Sequence, residues 1–199
     1  MTAGPAGSPE AGRPEAGRPG AGSPEARLAA MGLELPAVAA PLAAYVPAVR
    51  TGAYVYTAGQ LPLVDGALLM TGKVGEQVST AEAAALARVC ALNALAAIAS
   101  VTGGLSSVVR VVKVTGFVAS APGFTEQAQV VNGASELLLE VFGEAGRHAR
   151  SAVGMAVLPF DAPVEVELIA EVSAADVSVA NTGVANTGAA NTGAANVGD

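Results

Sequence analysis

Tryptophan is absent from this chain, and cysteine and histidine occur once each. A single cysteine, Cys90, excludes an internal disulfide and any cysteine-built metal cluster. It falls in an alanine-rich helical stretch and reads as a buried, unreactive thiol. Positive charge is also scarce: 10 Lys and Arg stand against 17 Asp and Glu, for a net charge of −7. Nonspecific nucleic-acid affinity needs clustered cations, so the charge argues against a phosphate backbone as the main partner and disfavours a ribonuclease reading. The N-terminus has no apolar core of the kind a secretory signal carries. The most apolar helical stretch, residues 89–101, is interrupted by Asn93 and is shorter than a bilayer span. The expectation is a soluble, cytoplasmic protein with no nucleic-acid and no membrane partner, and with no cofactor or metal.

What the chain does have is small apolar side chains. Hydrophobic residues make up 52% of it, largely Ala and Val, which suffices for a core lean in volume per residue. Residues 6–25 repeat a five-residue unit, AGSPE, AGRPE, AGRPG, AGSPE, and the chain ends in ANTGV, ANTGA, ANTGA and ANVGD. Gly, Pro, Asn and Ala at this density offer nothing to fill a core. The organisation expected is therefore a disordered repeat tail over 1–26, one domain over 27–176 and a second disordered tail over 177–199.

Within the domain, Pro24 to Met31 suits a short helix stopped by Gly32. Residues 46–50 and 54–57 flank Thr51-Gly52 as a hairpin, and 67–70 makes a short third strand. Ser79-Thr80-Ala81-Glu82 is a capping box opening a helix that runs to about Val101 and ends at Gly103-Gly104. The β-branched run 108–118 is a central strand, and 124–142 is a second helix. Arg147 to Val153 and Val164 to Ala170 complete the order β-β-β-α-β-α-β-β, with a turn over 158–163 between the last two. That is an α+β fold, a mixed sheet with two helices packed on one face.

The chemistry concentrates in the last two strands. From Val164 the chain alternates strictly, with Val164, Val166, Leu168 and Ala170 on one face and Glu165, Glu167 and Glu171 on the other. A carboxylate row on so apolar a strand needs water, a cation or a subunit boundary, and Arg150 is the cation nearest to hand. Arg150 either pairs with one of these glutamates or binds a small carboxylate, for which a planar guanidinium is suited. With both helices on one face the other is left open, and self-association is the usual way to cover it.

Tyr45-Val46-Pro47, Thr57-Ala58-Gly59-Gln60-Leu61-Pro62, Asn132, Ala149-Arg150-Ser151, Leu158-Pro159 and the Val164–Ala170 alternation, in this order and spacing, resemble the Rid (YjgF) proteins. These are reactive-intermediate deaminases with a chorismate-mutase-like fold and an older endoribonuclease L-PSP label. The resemblance covers roughly residues 45–174 and points to a divergent branch. It implies a homotrimer with clefts between subunits and hydrolysis of 2-imino acids to 2-keto acids and ammonia. It assigns Arg150 to the substrate carboxylate and Glu165 to positioning or activating a water. Tyr45, Gly59, Asn132 and Ala152 line the cleft, Ala152 through its backbone. Ala58 stands where the family often has serine, so one hydroxyl contact is missing. A noncatalytic carboxylate-binding protein on the same scaffold is the alternative that this loss raises. The single histidine, His148, two residues from Arg150, reads as a loop or interface residue.

Overall fold

The computed structural model describes residues 22–38 and 45–173, and most of both repeat tails lies outside them. The elements are α1 (Pro24–Ala30), β1 (Ala48–Thr51), β2 (Tyr54–Thr57), β3 (Leu63–Val64), β4 (Ala67–Leu68), α2 (Thr80–Thr102), β5 (Val108–Ala119), α3 (Gln127–Phe142), β6 (Ala149–Met155) and β7 (Val164–Val172). α1 begins inside the segment 1–26 assigned to the N-terminal tail. Ser23 caps it, and Glu25 accepts from the backbone of Leu105 at 2.7 Å and Ser106 at 3.1 Å, which ties the helix to the start of β5.

Five strands form one mixed sheet in the order β1-β2-β7-β5-β6. β5 is antiparallel to β7 and parallel to β6, with α3 as the crossover between the parallel pair. β6 and β7 are therefore not neighbours: the segment 158–163 carries the chain across β5 and does not close a hairpin. The third strand expected over 67–70 is instead one arm of a separate ribbon, β3 with β4. Its turn has Asp65 at φ 51° and Gly66 at φ 79°, the paired positive values of a tight hairpin loop.

The capping box is present in full at α2: Ser79 accepts from the Glu82 N–H and the Glu82 carboxylate accepts from the Ser79 N–H at 2.9 Å. Gly103, left-handed at φ 78°, ends the helix. α3 starts at Gln127, three residues later than expected, because Pro122-Gly123 turns the chain and Phe124 is held by a turn bond to the Ala121 carbonyl. α2 and α3 cover one face of the sheet. Leu86, Cys90, Leu95 and Ile98 meet Val130, Leu137, Leu138 and Val141, over Val111, Val114 and Val118 of β5 and the inward row of β7. α2 has 23 residues, so by length and composition alone it could cross a membrane, a correction to the shorter segment read from sequence. Half of its most apolar window is instead buried in this core.

The opposite face carries Val49, Tyr54, Tyr56 and Val153, all more than a third exposed, beside Glu165, Glu167 and Glu171. Large apolar side chains interleaved with carboxylates on one sheet face form a surface suited to a partner.

The two helices approach most closely at Gly133, where an added Cβ would overlap the Ala84 backbone carbonyl. Backbone cannot swing aside as a flexible side chain can. Gly133→Ala is expected to cost about 3 kcal/mol, the upper end of the usual overpacking range. Denaturant unfolding at fixed protein concentration checks this, and an unchanged midpoint would contradict the close helix approach.

Candidate functional site

Arg150 lies on β6 opposite Val114 of β5, and Val114 points into the helix-covered core. The pleat therefore sends Arg150 to the helix side as well, towards α3. Its Nη1 donates to Asn132 Oδ1 at 2.8 Å and to Ser135 Oγ at 3.1 Å. Asn132 and Ser135 are three residues apart on α3 and so share a helix face. Two acceptors occupy both hydrogens of Nη1. The Nε and Nη2 edge, the one that forks onto a carboxylate, has no protein partner among the described residues. Nor does Arg150 join either ion pair found there, Arg88–Glu140 and Arg147–Glu144. The glutamate row of β7 lies on the other face, so Arg150 is not its neighbouring cation. Lys113 lies on that face and donates to Ser151 Oγ at 2.8 Å.

His148, at the entry to β6, completes this cluster. Its Nδ1 lies 2.6 Å from the Gly146 carbonyl and its Nε2 lies 3.0 Å from Ser135 Oγ. A carbonyl only accepts, so Nδ1 carries the proton and a neutral ring leaves Nε2 as the acceptor for the serine hydroxyl. Burial holds His148 below the ordinary histidine value and the Arg150 charge adds to this, against the opposing pull of the Gly146 carbonyl. Ser135, Leu139, Gly146, Arg147, His148 and Arg150 line a cleft of about 270 Å³. Ser135 was missed from sequence; its i, i+3 spacing from Asn132, which puts both on one helix face, was the available signal. Ala152 lies two residues along β6 from Arg150, on the same face, and packs on the core.

The remaining candidates gather elsewhere. Gln60 exchanges backbone bonds with Val166 at 2.8 and 3.0 Å, and the Ala58 N–H bonds the Pro47 carbonyl at 2.9 Å. These bonds press the Ala58-Gly59-Gln60 turn onto β7 beside Glu165. A Cβ at 59 would overlap the Glu165 Oε1 as it now lies, so glycine lets the carboxylate rest against the turn. Burial raises the Glu165 carboxyl above the ordinary carboxylate value, and the neighbouring Glu167 charge raises it further. Tyr45 is exposed at 57%, two residues before the Pro47 that anchors the turn. Glu165 sits opposite Phe117 on β5, on the open face, so one copy of the chain holds two clusters on opposite faces of the sheet: Arg150 with Asn132, and Glu165 with Gly59.

A five-stranded mixed sheet under two long helices is a chorismate-mutase-like scaffold, with Arg150 in one polar cluster and Glu165 in another. Residues 25–172 match the family described as "YjgF/chorismate_mutase-like, putative endoribonuclease". The chain belongs to this YjgF family. It is 48% identical to Protein TCP17 of Trypanosoma cruzi over 149 residues, 74% of this chain and 93% of that protein. The crystal structure of Atu1372 from Agrobacterium tumefaciens, of unknown function, is 48% identical and superposes with a TM-score of 0.71, over 75% of this chain and 92% of that one. A Shewanella oneidensis structure described in the same endoribonuclease terms is 39% identical with a TM-score of 0.73, over 75% and 99% of the two chains.

The raised Glu165 carboxyl carries a stability signature of definite sign. A folded-state value above the unfolded one means that the native chain binds the extra proton, so stability falls as pH rises from the ordinary carboxylate range through the raised value. Glu165→Gln cannot ionise and also relieves Glu167. Its stability relative to the parent should therefore grow from pH 4 to pH 8, in the variant's favour. Paired denaturant melts at the two pH values test this, and a constant difference, or one larger at pH 4, would contradict it.

Proposed function

We propose that this protein hydrolyses small 2-imino acids, and their enamine tautomers, to 2-keto acids and ammonia. The observation that carries the proposal is the posture of Arg150: Nη1 is consumed by Asn132 and Ser135, and the Nε/Nη2 edge is free for the two oxygens of a carboxylate. A 2-imino acid places its electrophilic C=N beside such a carboxylate. Fixing the carboxylate fixes the carbon that water must attack, and imines need little more than orientation. Glu165, with its proton affinity raised, suits the taking of a proton from that water.

Arg150 and Glu165 lie on opposite faces of one copy, so the working site in this proposal forms between copies. The second copy brings its Gly59–Glu165 cluster to the first copy's Arg150–Asn132 cluster. Support comes from the exposed apolar residues on the open face, which a second subunit would cover, and a closed trimer is the symmetric arrangement that fits the resemblance. A soluble, cytoplasmic setting and the absence of a cofactor belong to the same proposal. A second reading, binding of small carboxylates without turnover, is favoured by Ala58, which removes a hydroxyl from the turn beside Glu165.

Release of ammonia and keto acid from 2-iminopropanoate and 2-iminobutyrate generated in situ separates these readings. The folded protein should exceed the uncatalysed background. Losing two charge-assisted hydrogen bonds in Arg150→Ala should lower kcat/KM about 100-fold or more. No acceleration, with small-carboxylate binding retained, would overturn the deaminase in favour of the binding protein.

A further inference from the structure

The cleft at Arg150 contains a second chemical device that the imine reaction does not use. Ser135 sits in the middle of α3, where a serine hydroxyl commonly folds back onto its own helix backbone. Here it engages His148 Nε2 at 3.0 Å and Arg150 Nη1 at 3.1 Å instead. The Gly146 carbonyl, 2.6 Å from Nδ1, holds the imidazole in the tautomer that leaves Nε2 free to take a proton. A serine hydroxyl, a base oriented by a third group and a fixed cation beside the oxygen form the arrangement that activates a nucleophile. We propose that Ser135 and His148 are a nucleophile–base pair that hydrolyses short thioesters or esters whose acyl group ends in a carboxylate.

The substrate class follows from the walls. Leu139 offers an apolar side, and the free Nε/Nη2 edge of Arg150 accepts a carboxylate within a few ångströms of Ser135. In the first half-reaction Ser135 Oγ bonds to the acyl carbon while His148 Nε2 takes the hydroxyl proton. The C–S bond of a thioester then breaks, and His148 returns the proton to the departing thiolate. In the second half-reaction water adds to the acyl-serine by the same route, releasing the acid and restoring the hydroxyl. The net change is thioester plus water to carboxylate, thiol and a proton, with no further reactant. The Arg150 guanidinium, whose Nη1 hydrogens are taken by Asn132 and Ser135, is the positive charge nearest the oxyanion formed in both halves and acts on it through its charge. Burial lowers the proton affinity of His148 and so favours the uncharged ring that the first half-reaction requires.

The test uses the full chain with acetyl and glutaryl thioesters of a small thiol. Thiol release is followed against the background without protein, and acylated peptides are mapped by mass. The proposal predicts an adduct on Ser135, faster release from the glutaryl than from the acetyl donor, and a loss of about 100-fold or more in both Ser135→Ala and His148→Gln. Cys90 is fully buried, so acyl transfer to a protein thiol does not compete. No acceleration and no Ser135 adduct in the folded parent protein would overturn the proposal without any variant. Acylation that persists undiminished in Ser135→Ala would also overturn it. The proposal is independent of imine hydrolysis, because its readout is the serine adduct, which an imine reaction does not form.

Discussion

Successive residues of a β-strand point to opposite faces, and in this sheet α2 and α3 cover only one of them. That alternation, applied to β5, β6 and β7, decides where every charged group near the site lies. The register places Arg150 beside Val114 on the helix side and Glu165 beside Phe117 on the open side. A shift of one residue in the β5–β7 pairing would bury the carboxylate row against the helices, and one in the β5–β6 pairing would turn Arg150 to the open face. The inward row Val164, Val166, Leu168, Ala170 and Val172 guards against this, since each side chain is buried and apolar.

The clusters are built by different means. Around Arg150 the order comes from side chains: two acceptors on α3 hold one nitrogen of the guanidinium, and His148 holds one of those acceptors. Around Glu165 it comes from backbone: the Gln60–Val166 exchange and the lack of a Cβ at Gly59 let the turn lie against the carboxylate. Removing the Cβ costs chain entropy in the unfolded state and gains the approach. Cys90 backs the same strand from the core, with its Sγ 3.7 Å from the Val164 carbonyl and its thiol pushed well up by burial.

Local signals in the sequence were legible where the physics is local. The Ser79–Glu82 box, the Gly103 stop and the alternation of β7 each involve residues a few positions apart, and the structure contains all three. The mixed sheet under two helices also followed, because element order and amphipathic faces restrict how layers can stack. What did not follow depends on pairing across the chain. Nothing between 147 and 170 says that β5 inserts between β6 and β7, and a short connection there reads as a hairpin. The same blindness placed Arg150 near the glutamates, because adjacency of strands was assumed. Asn132 was found only through the resemblance, and Ser135 was not found, because a hydroxyl on a helix says nothing of the histidine 13 residues later that it meets.

The central claim is that the Arg150 and Glu165 clusters work together only across two copies. Subunit complementation tests it most directly: Arg150→Ala and Glu165→Gln proteins, each inactive alone, are unfolded together in equal amounts, refolded and assayed for imine hydrolysis. In a closed trimer every mixed assembly has one interface with both native residues, so random mixing should restore roughly a quarter of the parent activity. Recovery of that order would establish the shared site. Mixed assemblies that form and remain inactive would contradict it, and would place both functions within a single copy.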